Sequence, residues 1–149
     1  MKFKNLFFSI IAAAFLSSAI SVDNSPAVGK AAPKIETIQG TNVVADANSE
    51  GKTQVISFWN PKKPASRIAN RNLSRKYASE SNEKVEFISI CTDTDEALMK
   101  EVMKLDGVKA DKAFAFSEIS PRVFKDYDVE VSPRAFVISP DGRISEVIG

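Results

Sequence analysis

The 149-residue chain is long enough for one domain, and its 44% hydrophobic and 26% charged residues argue against a disordered or fibrous protein. The formal net charge of +1 gives no broad basic surface, so nucleic acid is not an expected partner. The chain has a single cysteine, which excludes an intramolecular disulfide and a cysteine-rich zinc site. It has no histidine, the commonest metal ligand, and we expect neither a metal nor another cofactor.

The N-terminus has the pattern of an export signal. Lys2 and Lys4 precede an apolar run at residues 6–16, and small residues follow up to Ala19. The run is too short to span a bilayer comfortably, so the pattern predicts a signal peptide at residues 1–19. We therefore expect an exported, periplasmic or otherwise extracytoplasmic protein that is free of the membrane after cleavage. An uncleaved membrane anchor is the alternative.

The folded domain is predicted to begin after a linker. Residues 20–32 are mostly small and polar and are interpreted as the linker, which leaves 33–149 as the domain. Apolar and polar residues alternate at 34–44 around Gly40, which predicts a short β-hairpin. The strongly apolar run at 54–59 predicts a central strand that is buried on both faces.

An amphipathic helix is predicted from Pro64 to Ser79. Pro64 falls in the first turn, where a helix tolerates proline. The apolar side of this helix is predicted to consist of Ile68, Leu73 and Tyr77. The opposite, solvated side is predicted to carry Arg67, Arg71 and Arg75.

A second strand and helix follow. Residues 85–91 form an apolar run and predict a second buried strand. Thr94 or Asp93 is the expected N-cap of the next helix, and Gly107 is expected to end it. The apolar stripe of this helix is predicted to consist of Leu98, Val102 and Leu105.

The remaining elements alternate in the same way. A short strand is predicted at 112–117 and a short helix at 121–127, and the stretches 133–139 and 144–148 flank an Asp-Gly turn that predicts a closing β-hairpin. Strands that alternate with helices indicate an α/β domain built on a mixed sheet.

Several separated motifs together resemble one family. "VGKAAP" at 28–33, "GKTQVISFWNPKKPASR" at 51–67 and "YDVEVSPRAFVISPDGRI" at 127–144 are similar to the AhpC/TSA and TlpA-like branch of the thioredoxin superfamily. The resemblance covers residues 28–149. It implies a thioredoxin-like fold, in which a central mixed sheet is flanked by helices and preceded by an N-terminal β-hairpin. It also implies a cis peptide bond between Ser132 and Pro133.

The resemblance also raises an expectation about the end of the chain. Related domains place a final helix after the closing hairpin, and this sequence stops at Gly149, where that helix would begin. We expect either a truncated sequence or an apolar patch beside the hairpin that serves self-association or a partner.

The redox motif of the family is absent from the matching turn of this chain. The family holds a Cys-x-x-Cys pair there, and this chain has Lys63, Pro64, Ala65 and Ser66. Thiol-disulfide chemistry needs a thiolate and a second thiol to resolve the mixed disulfide, and neither lysine nor serine supplies one. The resemblance therefore implies an oxidoreductase scaffold that carries no catalytic residue in its turn.

Two functional hypotheses follow. In the first, the protein lacks thiol redox activity and is a binding or assembly module for a protein or peptide. Its groove is predicted to consist of Trp59, Lys63, Pro64, Ser66, Ser132 and Pro133. In the second, it is a residual thiol-disulfide oxidoreductase or antioxidant protein that acts through Cys91 with a partner's thiol. A buried cysteine at the end of a central strand is more simply a small hydrophobic core residue.

Overall fold

The fold is described here from a computed structural model that covers residues 25–43, 51–78, 84–130 and 132–149. The predicted signal peptide, the start of the linker and the end of the N-terminal hairpin lie outside these residues. No helix in the described ranges is long and apolar enough to cross a membrane.

Strands and helices alternate through most of the domain, as the sequence predicts. In chain order the elements are β1 (Thr53–Trp59), α1 (Pro64–Tyr77), β2 (Val85–Cys91), α2 (Glu96–Asp106), β3 (Lys112–Phe114), a 3₁₀ turn (Phe116–Glu118), α3 (Pro121–Asp126), β4 (Ala135–Ile138) and β5 (Ile144–Ile148). The predicted α/β class, with a central sheet flanked by helices, is confirmed.

The strands form one mixed sheet in the order β3-β2-β1-β4-β5. β2 runs parallel to both β1 and β3, whereas β4 is antiparallel to both β1 and β5. The predicted closing hairpin is therefore confirmed. The register places Trp59 beside Cys91 at the end of β1 and β2, and Ser57 beside Ala135 across β1 and β4.

The predicted N-terminal hairpin is reduced to a turn with isolated bridges. Glu36 pairs with Asn42, and the Val43 N–H donates to the Ile35 carbonyl at 2.7 Å. Gly40 has a φ of 82°, which glycine adopts at little steric cost. A tight turn therefore forms, but the bridges on either side are too few to make strands among the described residues.

One face of the sheet, which we call the aromatic face, is packed with large apolar side chains. The strands present Ile56, Phe58, Ile88, Ile90, Phe136 and Ile138 to this face. The Tyr127 ring lies 5.0 Å from the Phe58 ring and 4.9 Å from the Phe136 ring, measured between centroids. The Tyr127 hydroxyl donates to the Pro33 carbonyl at 2.7 Å, which attaches the N-terminal segment to the core.

The opposite face, which we call the helix face, is covered by α1 and α2. Side chains alternate between the two faces along a strand, so this face receives the intervening residues of β1, β2 and β4. They are Val55, Ser57, Trp59, Phe87, Ser89, Cys91, Ala135 and Val137. Small and polar residues are thus mixed with apolar ones beneath the two helices.

The buried side of α1 differs from the predicted one. Ile68 is 50% exposed, and Asn70 and Ser74 are buried beside Leu73. The Ser74 hydroxyl donates to the Lys109 carbonyl at 2.7 Å and accepts from the Lys109 N–H at 2.8 Å. These bonds satisfy the buried hydroxyl, so a polar side chain occupies a position that hydrophobic periodicity assigned to solvent.

The prediction of a solvated arginine side on α1 does not hold for Arg67. Arg67 binds Asp106 of α2 through two nitrogens, at 3.0 and 2.7 Å. Its side chain is 31% exposed, and that of Asp106 is 10% exposed. The pair holds the pKa of Asp106 below its usual value. It ties α1 to α2, which the sequence alone did not predict.

The predictions of the N-cap and of the apolar stripe of α2 were also partly wrong. The N-cap is Asp95, whose carboxylate accepts from the Leu98 N–H at 3.0 Å, and not Asp93 or Thr94. Leu105 is 75% exposed, and Met99 joins Val102 as a buried residue. The predicted end at Gly107, which has a φ of 64°, is confirmed.

The apolar surface beside the closing hairpin is smaller than expected. The large apolar side chains that the structure exposes among the described residues are Val28, Ile38, Ile68 and Leu105. None belongs to the sheet, so the expected broad patch is not present there. The apolar residues next to β5 instead line a cavity.

Candidate functional site

The turn between β1 and α1 is held by its own hydrogen bonds. The Asn60 N–H donates to the Ser66 hydroxyl oxygen at 2.9 Å, and the Lys62 N–H donates to the Asn60 side-chain oxygen at 2.8 Å. Lys63 is the N-cap residue of α1 and contributes no side-chain cap. Ser66 therefore acts as an acceptor that shapes the turn.

A salt bridge connects this turn to the loop after β2. Lys62 Nζ lies 2.9 Å from an Asp93 carboxylate oxygen, and the two side chains are 56% and 13% exposed. The Asp95 N–H also donates to that carboxylate at 3.0 Å. This backbone hydrogen bond, with the lysine, lowers the pKa of Asp93, and the same pairing raises the pKa of Lys62. The turn is thus anchored at both ends.

A cavity of about 460 Å³ lies between the first half of α1 and the β4–β5 hairpin; we call it the α1–β4 cavity. It is lined by Ser57, Lys63, Ala65, Ser66, Ala69, Leu73, Ser132, Pro133, Arg134, Ala135, Ile148 and Gly149. Its volume is within the range of sites that hold small molecules or a few side chains of a partner. The β1–α1 turn and the loop before β4 therefore meet around one opening.

The structure brings together four of the predicted groove residues. Lys63 and Ser66 line the α1–β4 cavity from the turn, and Ser132 and Pro133 line it from the loop. Pro64 is exposed beside them but does not line the cavity.

The remaining lining residues were missed by sequence reasoning. Arg134 directly follows Pro133, so its position next to the predicted loop was a usable signal. Ala69 and Leu73 lie one and two turns along α1 from Ala65, which helical spacing also indicates. Ile148 reaches the cavity because β5 pairs it with Ala135; the closing hairpin was predicted, but the register shift between Val137 and Ile138 was not.

The expected cis peptide bond is wrong. No peptide bond among the described residues is cis, so the Ser132–Pro133 bond is trans. The trans form is favoured before proline by about 0.5–1 kcal/mol unless tertiary contacts reverse the preference. The resemblance implied such contacts, and they do not produce the cis isomer here.

Trp59, also predicted in the groove, lies elsewhere. It is 1% exposed and packs with Cys91, Met99, Val102 and Ala115 beneath α2. β1 pairs it with Cys91 of β2, away from the β4 side where the cavity opens. Trp59 is therefore a core residue and does not line the α1–β4 cavity.

Cys91 has the surroundings of an inert thiol. It is 0% exposed, and desolvation raises its pKa from 9.0 to about 11. The Asp93 N–H approaches the sulfur at 3.4 Å, and the thiol approaches the Asp93 carbonyl at 3.5 Å. Because the thiolate is the reactive form, a buried thiol with a raised pKa is a poor nucleophile at neutral pH. No group of three or more potential metal-ligating side chains occurs in the described ranges.

The fold and this site define a thioredoxin-like domain, and a comparison with protein families identifies the same class. A family model described as thioredoxin-like matches residues 51–144, which is more than half of the chain. The protein therefore belongs to the thioredoxin-like family. The match includes β1, the turn and α1, so Lys63 and Ser66 lie inside it.

Solved structures give the same fold at low identity. A thioredoxin-like protein from Parabacteroides distasonis is 23% identical, with a TM-score of 0.69 over 84% of this chain and 89% of that one. The thioredoxin domain of a thiol-disulfide oxidoreductase from Bacteroides vulgatus is 20% identical, with a TM-score of 0.65 over 84% and 91%. A secreted disulfide oxidoreductase from Mycobacterium tuberculosis is 22% identical, with a TM-score of 0.56 over 78% and 81%. No curated protein matches the chain.

Proposed function

We propose that this protein is an exported thioredoxin-like protein that lacks thiol redox activity and binds a peptide segment of a partner in the α1–β4 cavity. The observation that carries the proposal is the cavity itself. Two segments that the sequence marked as the former redox site, the β1–α1 turn and the loop before β4, line one opening. That opening holds no thiol, because the only cysteine of the chain is Cys91 in the core.

The chemistry of the turn supports the loss of redox activity. Lys63 and Ser66 occupy the positions where the resemblance places the two cysteines. The Ser66 oxygen accepts a backbone hydrogen bond from Asn60, which is a structural role. Activation of a serine hydroxyl needs a nearby base, and the chain has no histidine to provide the commonest one.

Export is supported by the sequence of the N-terminus and by analogy. Positive charge, a short apolar run and small residues follow one another in residues 1–19, which is the order found in signal peptides. One structural neighbour, from Mycobacterium tuberculosis, is itself secreted. Sizing of the protein recovered from the extracytoplasmic fraction, with N-terminal sequencing, tests cleavage after Ala19.

The alternative function, redox chemistry through Cys91, has no observation in its favour. The sulfur is buried, and its raised pKa keeps the thiol protonated. A partner's thiol would have to enter the core beneath α2 to reach it.

The redox part of the proposal is tested by the reduction of insulin disulfides with dithiothreitol. We expect the protein to leave the uncatalysed rate unchanged. The double variant Lys63→Cys, Ser66→Cys places a dithiol at the N-terminus of α1, where the helix dipole stabilises a thiolate, and we expect it to accelerate the reaction. Catalysis by the unmodified protein that is lost in Cys91→Ser would refute the proposal.

The binding part is tested by selecting a phage-displayed library of linear dodecapeptides on the purified protein. Ala69→Trp fills the cavity from α1, and Ala97→Trp makes the same change at an exposed position of α2. We expect selected peptides to lose binding to the first variant and keep it to the second. Equal circular dichroism and urea midpoints for the two variants show that both fold. If Ala69→Trp unfolds, Ala65→Trp replaces it.

A further inference from the structure

We infer that the α1–β4 cavity selects acidic peptide segments, in which an aspartate or glutamate lies next to small or apolar residues. The inference rests on the proposed function, because it names the chemistry of the segment that the cavity takes. It follows from the charges of the lining residues and from the nature of the floor between them.

Both charged side chains that line the cavity are cationic. Lys63 enters from the β1–α1 turn and is exposed, and Arg134 enters from the start of β4 with a side chain that is 36% exposed. The acidic neighbour of Arg134 is Asp128, whose nearest oxygen lies 3.7 Å from Nη2 and whose side chain is 66% exposed. That pair is long and solvated, so a closer carboxylate from a ligand competes with it at little cost.

Positive charge also extends along α1, the helix that forms one wall of the α1–β4 cavity. Every charged side chain between residues 62 and 77 is cationic, namely Lys62, Lys63, Arg67, Arg71, Arg75 and Lys76. Lys62 pairs with Asp93 and Arg67 pairs with Asp106, both from other elements. The positive charge is local, because the formal net charge of the chain is only +1. An acidic preference would therefore come from this wall and not from a general attraction of anions.

The floor between the two cations is apolar or small. Leu73 lies at one side, and Ala135 and Ile148 lie across β4 and β5 from it. Ala65 and Ala69 leave space along α1. A ligand that satisfies both parts carries a carboxylate for the rim and small or apolar side chains for the floor. A basic segment would meet like charge from both sides, which disfavours it.

The test starts from the peptides that the phage-displayed library yields. One peptide that binds is synthesised in three forms. The selected sequence is compared with versions in which each acidic residue is changed to its amide, or to lysine. We expect acidic residues to be enriched in the selection and binding to weaken roughly two- to fivefold for each carboxylate changed to an amide. We expect a larger loss for lysine, and a smaller difference between the three peptides at high ionic strength.

The protein side of the test uses charge-neutral variants of the two cations. Lys63→Gln and Arg134→Gln are each expected to weaken the acidic peptide roughly two- to fivefold and to leave its amide version unchanged. Lys125→Gln removes an exposed cation from α3, which packs on the aromatic face, and is the matched control.

The outcomes separate the two proposals. Peptides that are blocked by Ala69→Trp but carry no acidic residues, or that bind Lys63→Gln and Arg134→Gln unchanged, overturn the charge preference and leave the proposed function intact. A selection that yields no peptide sensitive to Ala69→Trp overturns the proposed function, and the charge preference with it. Acidic peptides that lose affinity with both cavity cations and not with Lys125→Gln support both.

Discussion

The two faces of the sheet differ in what fills them. On the aromatic face the strands present mainly large apolar side chains, and rings of Phe58, Tyr127 and Phe136 contact one another. The polar exceptions are Gln54 and Glu86, where the Gln54 side-chain N–H donates to the Glu86 carboxylate at 2.6 Å. On the helix face, serine, alanine and cysteine alternate with valine, phenylalanine and tryptophan, and a cavity opens beside β4. One face supplies close packing, and the other supplies an accessible site.

The two faces also differ in their buried polar atoms that have no hydrogen-bond partner. The described residues contain three buried side-chain nitrogens that have no hydrogen-bond partner, Trp59 Nε1, Asn70 Nδ2 and Arg71 Nε, and all belong to the helix face or to α1 above it. Asn70 does accept a bond from the Ser89 hydroxyl at 3.4 Å. Unsatisfied polar groups lower stability, so the face that carries the site is also the less optimised one.

The largest expected effect is on the aromatic face. Phe58→Ala removes a ring that is 2% exposed and contacts three other rings, so we expect a loss of about 3–5 kcal/mol in the free energy of unfolding. Ile68→Ala on α1, where the side chain is 50% exposed, is expected to cost under about 1 kcal/mol. Urea denaturation measures both. Similar losses would show that the Phe58 ring adds no more to stability than an exposed side chain does, against the close packing described for the aromatic face.

The next effect concerns the buried thiol of the helix face. The folded pKa of Cys91 is raised from 9.0 to about 11, so the fold favours the neutral thiol. That contribution is fully present below pH 9.0 and is lost as the pH rises towards about 11. Its size is roughly 2–3 kcal/mol, because each pKa unit is worth about 1.4 kcal/mol.

The control for this pH dependence is Cys91→Ala, which lacks the thiol and keeps the other groups that titrate at high pH. We expect the unmodified protein to lose more stability than Cys91→Ala between pH 9.0 and about 11, measured by urea midpoints. Parallel pH profiles, or rapid alkylation of Cys91 in the folded protein at neutral pH, would contradict the description of an inert thiol.

A smaller effect is expected at the turn beside the cavity. Ser66→Ala removes the acceptor for the Asn60 N–H, and we expect a loss of about 0.5–1.5 kcal/mol. Ser117→Ala, at an exposed position of the 3₁₀ turn, is the matched control and is expected to change stability by less than about 0.5 kcal/mol. Faster amide exchange at Asn60 in Ser66→Ala would localise the loss. No difference between the two variants would show that the hydroxyl does not hold the turn.

The smallest effect is expected at the salt bridge between Lys62 and Asp93. Lys62 is more than half exposed, so Lys62→Gln is expected to lower the free energy of unfolding only slightly. The difference from the unmodified protein is expected to shrink as salt is added, because exposed charges are screened. A cost that is larger, or that does not respond to salt, would mean that this bridge is a stronger anchor of the turn than its exposure indicates.

Local patterns predicted the elements of this fold well where propensity and tertiary packing agree. The runs at 54–59 and 85–91 became buried central strands, and Gly107 ended α2 in the left-handed conformation that glycine adopts most easily. The closing hairpin followed from two apolar runs around an Asp-Gly turn. Each of these signals lies within a few residues of the feature it predicts.

Predictions failed where a distant contact decided the outcome. Ser74 is buried because Lys109 satisfies its hydroxyl, and Leu105 is exposed because α2 packs through Met99 and Val102. Trp59 was placed in the groove because it borders the turn, yet strand pairing directs it beneath α2. The bond before Pro133 keeps the intrinsically favoured trans form, because the tertiary contacts that the resemblance implied do not impose the cis isomer.

The sequence by itself determined that this thioredoxin-like chain has no dithiol in its β1–α1 turn, because residue identity alone decides whether a thiolate can form there. Only the tertiary structure decided that the turn still borders a cavity, and which residues complete it. Arg134, Ala135 and Ile148 reach that cavity through the antiparallel pairing of β4 with β1 and β5. The pairing of β4 with β1 joins segments that lie far apart in the chain, and no local sequence pattern indicates which strand β4 pairs with.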